Sequence, residues 1–300
     1  MSSRSIYRQL ISERAGHIMP GVYDALSARI AEHTGFGIIT AGGYAAMGSL
    51  LGGPDIGQSN MRDLAEHYGR ISAAVNVPVS VDADTGFGDV HNVTQTVWAL
   101  ETAGVSGIMI GDQVYPNRCG YMPGKDIVPV EEMLAKIRAA VAVRRDPDLL
   151  IIARTDAYAD HGLDEALWRC RLFLKAGADI AKPQGVDRPD EIRRAMAEVP
   201  CPFVATLSQA SRNRELDIAD LRKLGVATIS LPSVTLFAAA RAVSDAMATL
   251  YETQSIATVE PGLITLDDYN KVTGLDQKLA DEATFRDEAH RIVETGQTFV

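Results

Sequence analysis

Eight times in this chain a short, β-branched or apolar run gives way to a longer helical pattern, and no other feature limits its fold so tightly. The runs are His17–Pro20, Gly37–Ala41, Pro78–Asp82, Gly107–Ile110, Leu149–Ala153, Asp179–Lys182, Phe203–Leu207 and Ala227–Leu231. The helical patterns that follow them are Asp24–Thr34, Met61–Val75, Asn92–Ala103, Val130–Arg144, Leu163–Ala176, Pro189–Val199, Ile218–Leu224 and Val234–Leu250. Glycine closes several of these, at Gly35, Gly104, Gly177 and Gly225, as helix C-termini commonly require. Repeated strand–helix units imply a parallel sheet, and eight of them imply a closed (β/α)8 barrel. An open doubly wound sheet would carry a glycine-rich phosphate turn after its first strand; Pro20-Gly21-Val22-Tyr23-Asp24 is not one. With 300 residues, 46% hydrophobic and 23% charged, the chain has core enough for a barrel over residues 1–255. Residues 256–300 break the alternation: Ile264–Val272 and Leu279–Thr295 read as polar-faced helices, an appendage expected to pack outside the barrel or on a neighbouring subunit.

A net charge of −10 argues against nucleic acid or an anionic membrane as partner and leaves small molecules. The cysteines, at 119, 170 and 201, are odd in number and scattered. They make no disulfide framework and suit a reducing cytoplasm. Residues 1–14 are polar without a signal region, and no apolar run reaches membrane-spanning length.

Catalysis in such barrels sits at the C-terminal ends of the strands. There the chain gathers acids: Asp82 and Asp84 after the third strand, Asp112 after the fourth, Asp156 after the fifth and Asp55 in the loop after the second. Arg154 ends the fifth strand, and Lys182-Pro183-Gln184 the sixth. Carboxylates around one arginine suit a hard divalent cation, Mg2+ or alternatively Mn2+, with the arginine gripping a substrate carboxylate. The blander reading has Asp82 and Asp84 bonding loop amides and Arg154 pairing with Asp156 or Asp82. Cys119 lies on the loop Asp112–Lys125 between Arg118 and Lys125, cations expected to favour its thiolate; a small loop-filling side chain is the alternative.

MPGVYDALSARI (19–30), GGPDIG (52–57), VDADTGFGD (81–89), GDQVYPNRCGYMPGK (111–125), EEMLAKIRAA (131–140) and IIARTDAYADHGLDEA (151–166) together resemble the isocitrate lyase/phosphoenolpyruvate mutase superfamily, in its 2-methylisocitrate lyase-like and dimethylmalate lyase-like branch. The resemblance spans residues 15 to 245 and implies a TIM-type barrel. It implies Asp82 and Asp84, with Asp55, at a Mg2+ site, and Arg154 on a substrate carboxylate. Ala41, Gly42 and Gly43 would approach substrate oxygens, Tyr23 and Asp24 would line the cavity, and Gln184 stands at a substrate position. Cys119 matches the cysteine that protonates the carbanion-like fragment after C–C cleavage. Homotetramers exchanging C-terminal helices are implied as well.

Departures fall in the substrate half. Gly111 stands where the lyases carry Glu, Asn117 and Tyr121 replace a lysine and a histidine beside the cysteine, and Gln184 replaces a glutamate. Thr206-Leu207-Ser208-Gln209-Ala210-Ser211 replaces Asn-Met-x-Glu-x-Gly, and Ala41 a serine. The expectation is a Mg2+-dependent C–C lyase acting on a substituted malate-like 2-hydroxy acid, with a small dicarboxylate or keto acid as partner and methylisocitrate disfavoured. A phosphonomutase or an oxaloacetate-type decarboxylase or hydrolase is the first alternative. A barrel that has lost catalysis and binds a metabolite is the second.

Overall fold

The computed structural model describes residues 1–209 and 216–296. They divide into two compact units, Met1–Ala240 and Arg241–Val300.

The first unit carries eight parallel strands: β1 His17–Pro20, β2 Ile39–Ala41, β3 Val79–Asp82, β4 Gly107–Gly111, β5 Leu150–Thr155, β6 Ile180–Pro183, β7 Val204–Thr206 and β8 Thr228–Leu231. β2 to β6 form one ladder and β7, β8 and β1 another. They join where Gly21 bridges Thr40 and Val22 N–H donates to Thr40 O at 2.8 Å. At the other seam, between β6 and β7, Cys201 stands in for a ladder bond: Ala181 N–H donates to its Sγ at 3.5 Å, and the thiol donates to Ala181 O at 3.7 Å. The expected barrel is therefore the observed fold.

Helices follow the strands: α1 Ser3–Ser12 precedes β1, then α2 Ala25–Thr34, α3 Gly43–Leu51, α4 Met61–Ala74, α5 Val90–Thr102, α6 Val130–Val143, α7 Tyr158–Lys175, α8 Pro189–Glu198, α9 Ile218–Leu224 and α10 Val234–Thr253. Their starts are chemically fixed. Asp24 accepts from Ser27 N–H while the Ser27 hydroxyl accepts from the Asp24 amide, a reciprocal cap worth about 1 kcal/mol. Asp89 and Asn92 do the same for α5. α1 and α3 were not expected from the sequence, and α7 begins five residues before the expected Leu163, across a kink at Gly162 (φ 81°). Ile39, Val81, Ile108, Ile151 and Phe173 belong to the buried core between strands and helices, with Cys170.

The second unit contains α11 Leu266–Thr273 and α12 Leu275–Thr295, close to the two expected polar-faced helices. No helix among the described residues is long and apolar enough to cross a membrane.

Candidate active site

The C-terminal ends of the strands enclose a cavity of about 360 Å3. Asp82, at the end of β3, and Arg154, on β5, line it with Gly42, Gly43, Cys119, Gln184 and Lys182. Met19, Met109, Ile152 and Val204 form its apolar walls, and Tyr44 and Phe237 meet edge-on above it, ring centres 5.7 Å apart.

The carboxylates meet at Gly43. A Cβ built there would lie 3.2 Å from Asp84 Oδ1, 3.7 Å from Asp55 Oδ1 and 3.8 Å from Asp82 Oδ2, so the absence of a side chain leaves the carboxylates room to converge on the chain. Gly42 and Gly43 open α3 without a side-chain cap, leaving its first amides free for an anion. Asp82 and Asp84 do not share one strand face. Asp84 stands past β3 with a left-handed backbone (φ 50°), its N–H donating to Asp82 Oδ1 at 3.1 Å and its carbonyl accepting from Gly111 N–H at 2.7 Å. Gly111, which lacks the family's carboxylate, thus fixes the Asp84 turn through its main chain.

Burial and mutual repulsion load this cluster with unrelieved negative charge. Burial, then Asp82 nearby, push Asp55 up to about 6, although Arg154 pulls against them. Burial and Asp82 push Asp84 up to about 7, despite the hydrogen bonds from Asn117 and Ser59. Asp82 is raised by burial against the pull of Arg154. Among the described residues no three acidic, histidine or cysteine side chains form a closed metal cage. Hard oxygens converging with unrelieved charge nevertheless fit Mg2+, which takes one or two carboxylates and keeps waters.

Arg154 satisfies both of its sequence readings. Its guanidinium pairs with Asp156 at 2.8 Å and faces Asp82 at 3.8 Å. Burial opposes its charge, but those two carboxylates outweigh it and keep it protonated. Asp156 is held from behind: Asp112 accepts its N–H at 2.9 Å, and Arg169 pairs with Asp112 at 3.1 Å. Asp112, expected on the catalytic rim, is fully buried and committed to that support.

The cysteine loop folds over the cluster. Cys119 N–H donates to Asp55 O at 3.1 Å and Asn117 Nδ2 to Asp84 Oδ1 at 2.8 Å. Gln113 clasps Arg118 by two bonds of 2.9 Å. Lys125 reaches Asp156 at 3.1 Å and the Gly120 carbonyl. A Cβ on Gly120 would lie 2.4 Å from Arg154 Nη2 and 2.9 Å from Gln184 Cγ, a measure of how closely the loop sits on the site. The expected thiolate is not found. Burial raises the Cys119 thiol and Asp55 adds to it, outweighing the Tyr121 amide, Arg154 and Lys125. Lys125 is drawn to Asp156, and Arg118 points to the Pro123 carbonyl at 3.5 Å.

Two expected wall residues, Tyr23 and Asp24, stand elsewhere. Asp24 caps α2, and that capping box also takes the Tyr23 N–H, leaving Tyr23 off the cavity wall. Ala41, expected to approach substrate through its backbone, ends β2 with its side chain packed in the core, directly before Gly42 and Gly43 of the cavity wall. Ser208 and Gln209 do line the cavity, whereas Ala210 and Ser211 of the same motif lie outside the described residues. Sequence reasoning missed Ser59, which donates to Asp84 at 3.3 Å, and gave Asn117 and Lys182 no role.

The chain is similar to proteins of known structure over nearly its whole length. The chain is 36% identical over 277 residues to 2,3-dimethylmalate lyase of Eubacterium barkeri, covering 92% of this chain and 96% of that one. Oxaloacetate acetylhydrolase, solved with the inhibitor 3,3-difluorooxalacetate, superposes with a TM-score of 0.88 at 29% identity, over 94% of this chain and 97% of its own. Phosphonopyruvate hydrolase, solved with oxalate and Mg2+, superposes with a TM-score of 0.83 at 29% identity, over 94% and 99%. The model for phosphoenolpyruvate phosphomutase matches residues 7–251. The chain therefore belongs to the phosphoenolpyruvate phosphomutase family, within the isocitrate lyase/phosphoenolpyruvate mutase superfamily to which its motifs pointed.

Proposed function

We infer that this protein is a divalent-cation-dependent carbon–carbon lyase acting on a substituted malate-like 2-hydroxy acid, with Cys119 as the proton donor. The observation that carries this reading is the half-buried, protonated Cys119 thiol on a loop tied to Asp55 and Asp84, directly over the carboxylate cluster. Asp82 and Asp84 would hold Mg2+ or Mn2+, with Asp55 beside them; when bound, the cation supplies positive charge next to the substrate's hydroxyl oxygen. Arg154 binds the carboxylate adjacent to the hydroxyl, and the free amides at the start of α3 receive its oxygens. Asp55, raised to about 6, is suited to accept the hydroxyl proton near neutral pH. The C–C bond then breaks, its electron pair moving to the carbon beside the departing carboxylate while the hydroxyl carbon becomes a ketone. The Cys119 S–H delivers the proton that this carbon needs, and the closed loop keeps water away.

The dimethylmalate lyase likeness over 92% of the chain supports the substrate class. A hydrolase of oxaloacetate type is the second reading, favoured by the likeness to oxaloacetate acetylhydrolase. Product analysis distinguishes them: a lyase turns a 2-hydroxy diacid into a keto acid and a saturated acid, whereas a hydrolase consumes water and a keto diacid. Cys119→Ser is expected to lower lyase turnover by about 100-fold or more while oxalate still binds with Mg2+. Unchanged turnover in Cys119→Ser would exclude the thiol as donor. Assembly as a homotetramer with exchanged helices from residues 256–300 accompanies this reading, and sedimentation of the purified protein tests it.

A further inference from the structure

Lys182 enters the cavity from β6 and makes no direct ion pair there. The side chain is buried, yet its ammonium forms no ion pair and donates no hydrogen bond to any described residue. Its neighbour in the β5–β6 register is Arg154, and both cations line the same cavity. The two differ in partners. Arg154 is held by Asp156 and faces Asp82, whereas Lys182 feels both carboxylates only at a distance and pairs with neither. Bulky branched side chains usually fill such layers, and a buried cation left unpaired weakens a fold, so packing does not account for a lysine here. Burial, with Arg154 alongside, lowers the ammonium to about 8, which leaves it largely charged at neutral pH. The wall beyond it offers small hydroxyls. Thr206 and Ser230 face each other across the β7–β8 register, both line the cavity, and Thr206 Oγ1 has no partner. An unpaired ammonium beside free hydroxyls is a receptor for an anionic oxygen.

We propose that Lys182 binds the second carboxylate of the substrate, the one on the departing fragment, and so makes the cavity selective for dicarboxylic over monocarboxylic 2-hydroxy acids. This role rests on the lyase reading of the same site. When the C–C bond breaks, its electron pair delocalises from the carbon into that carboxylate, which gains negative charge until the Cys119 proton arrives. A cation at that carboxylate stabilises the transition state more than the ground state. Lys182 is thereby a catalytic residue as well as a selective one.

The test uses the full-length protein with Mg2+, titrated calorimetrically with oxalate, which occupies only the Arg154 end, and with malate, which spans both ends. Wild type should bind both. In Lys182→Met, of similar length and well suited to burial, oxalate affinity should stay within about 2-fold while malate affinity falls by about 30-fold or more. In Lys182→Ala, ethylammonium in the buffer should restore malate binding, a rescue that a merely structural lysine would not show. Equal losses for both ligands, or malate binding untouched by Lys182→Met, would overturn the proposal. Wild type binding oxalate but not malate would overturn it too while leaving the lyase site standing. Wild type binding neither would remove the lyase reading and this role together.

Discussion

Asn117 Nδ2 donates to Asp84 Oδ1 at 2.8 Å, tying the cysteine loop to the carboxylate cluster across 33 positions of sequence. The lyase-type lysine that Asn117 replaces would bring a full charge here; Asn117 brings one neutral hydrogen bond, and Asp84 remains at about 7. Loop closure and the charge state of the cluster are thus one event. A cation bound at Asp84 would favour its ionised form, the stronger acceptor for Asn117. Cation binding and burial of Cys119 should therefore be coupled.

Asn117→Ala removes that link and leaves Asp84 with the Ser59 hydroxyl as its side-chain donor. Losing a buried hydrogen bond to a carboxylate costs about 1.5–3 kcal/mol, so apparent Mg2+ affinity should drop by about 10-fold or more. Alkylation of Cys119 by iodoacetamide in the presence of Mg2+ should quicken. An unchanged alkylation rate in Asn117→Ala would separate the loop from the cluster.

Gly120→Ala tests closure from the other side. The added methyl would lie 2.4 Å from Arg154 Nη2, and Arg154 is pinned by Asp156, so the loop has to yield. Turnover should fall by about 100-fold, because a displacement of about 1 Å at a reacting centre has that effect. The melting temperature should move little, since the loop is not part of the core. A large fall in melting temperature with turnover preserved would contradict closure over Arg154.

The barrel was legible in the sequence because both of its periods are written locally. Strand boundaries such as His17–Pro20 agree, and Val79–Asp82 differs by one residue from expectation, since β-branched runs between glycines leave little choice. α3 escaped because Gly43-Tyr44-Ala45-Ala46-Met47-Gly48 is apolar with two glycines, so no polar face announces a helix. At the site, Asp82, Asp84, Arg154 and Cys119 follow from the rule that strand ends carry chemistry. Tyr23 and the state of Cys119 could not be read that way. Each depends on a partner chosen in three dimensions: Ser27 for the Tyr23 amide, Asp156 for Lys125. Lys182 stood in plain view on the rim, but its lack of an ion-pair partner appears only once Asp156 and Asp82 are seen to engage Arg154.

Gly21→Ala should open the barrel seam. Its Cβ would fall 2.0 Å from Pro232 O, a backbone atom that cannot swing aside, and Gly21 forms the bridge to Thr40 that joins β1 to β2. Destabilisation of about 3 kcal/mol or more is expected, at the upper end for overpacking. Urea unfolding monitored by circular dichroism gives the value, and a loss below about 1 kcal/mol would mean the seam relaxes freely.

The cluster also sets how stability of the metal-free protein varies with pH. In the unfolded chain Asp55 and Asp84 lose their protons near 3.8, whereas in the fold they keep them to about 6 and about 7. Between those limits the folded state binds more protons than the unfolded one, so stability falls as pH rises from about 4 to 7. Asp82, raised as well, adds in the same direction. Asp156 is lowered in the fold, so its contribution is lost only below the usual carboxylate range, outside this window. Lys182 has the opposite sign: lowered to about 8, it returns stability as pH climbs from about 8 towards 10.5. In EDTA the melting temperature should therefore decline from pH 5 to 7.5, by an amount on the order of 2 kcal/mol in stability. Mg2+ competes with those protons, so it should raise the melting temperature more at pH 8 than at pH 5.5. A Mg2+ effect independent of pH would mean that the cation, if bound, sits away from Asp55 and Asp84.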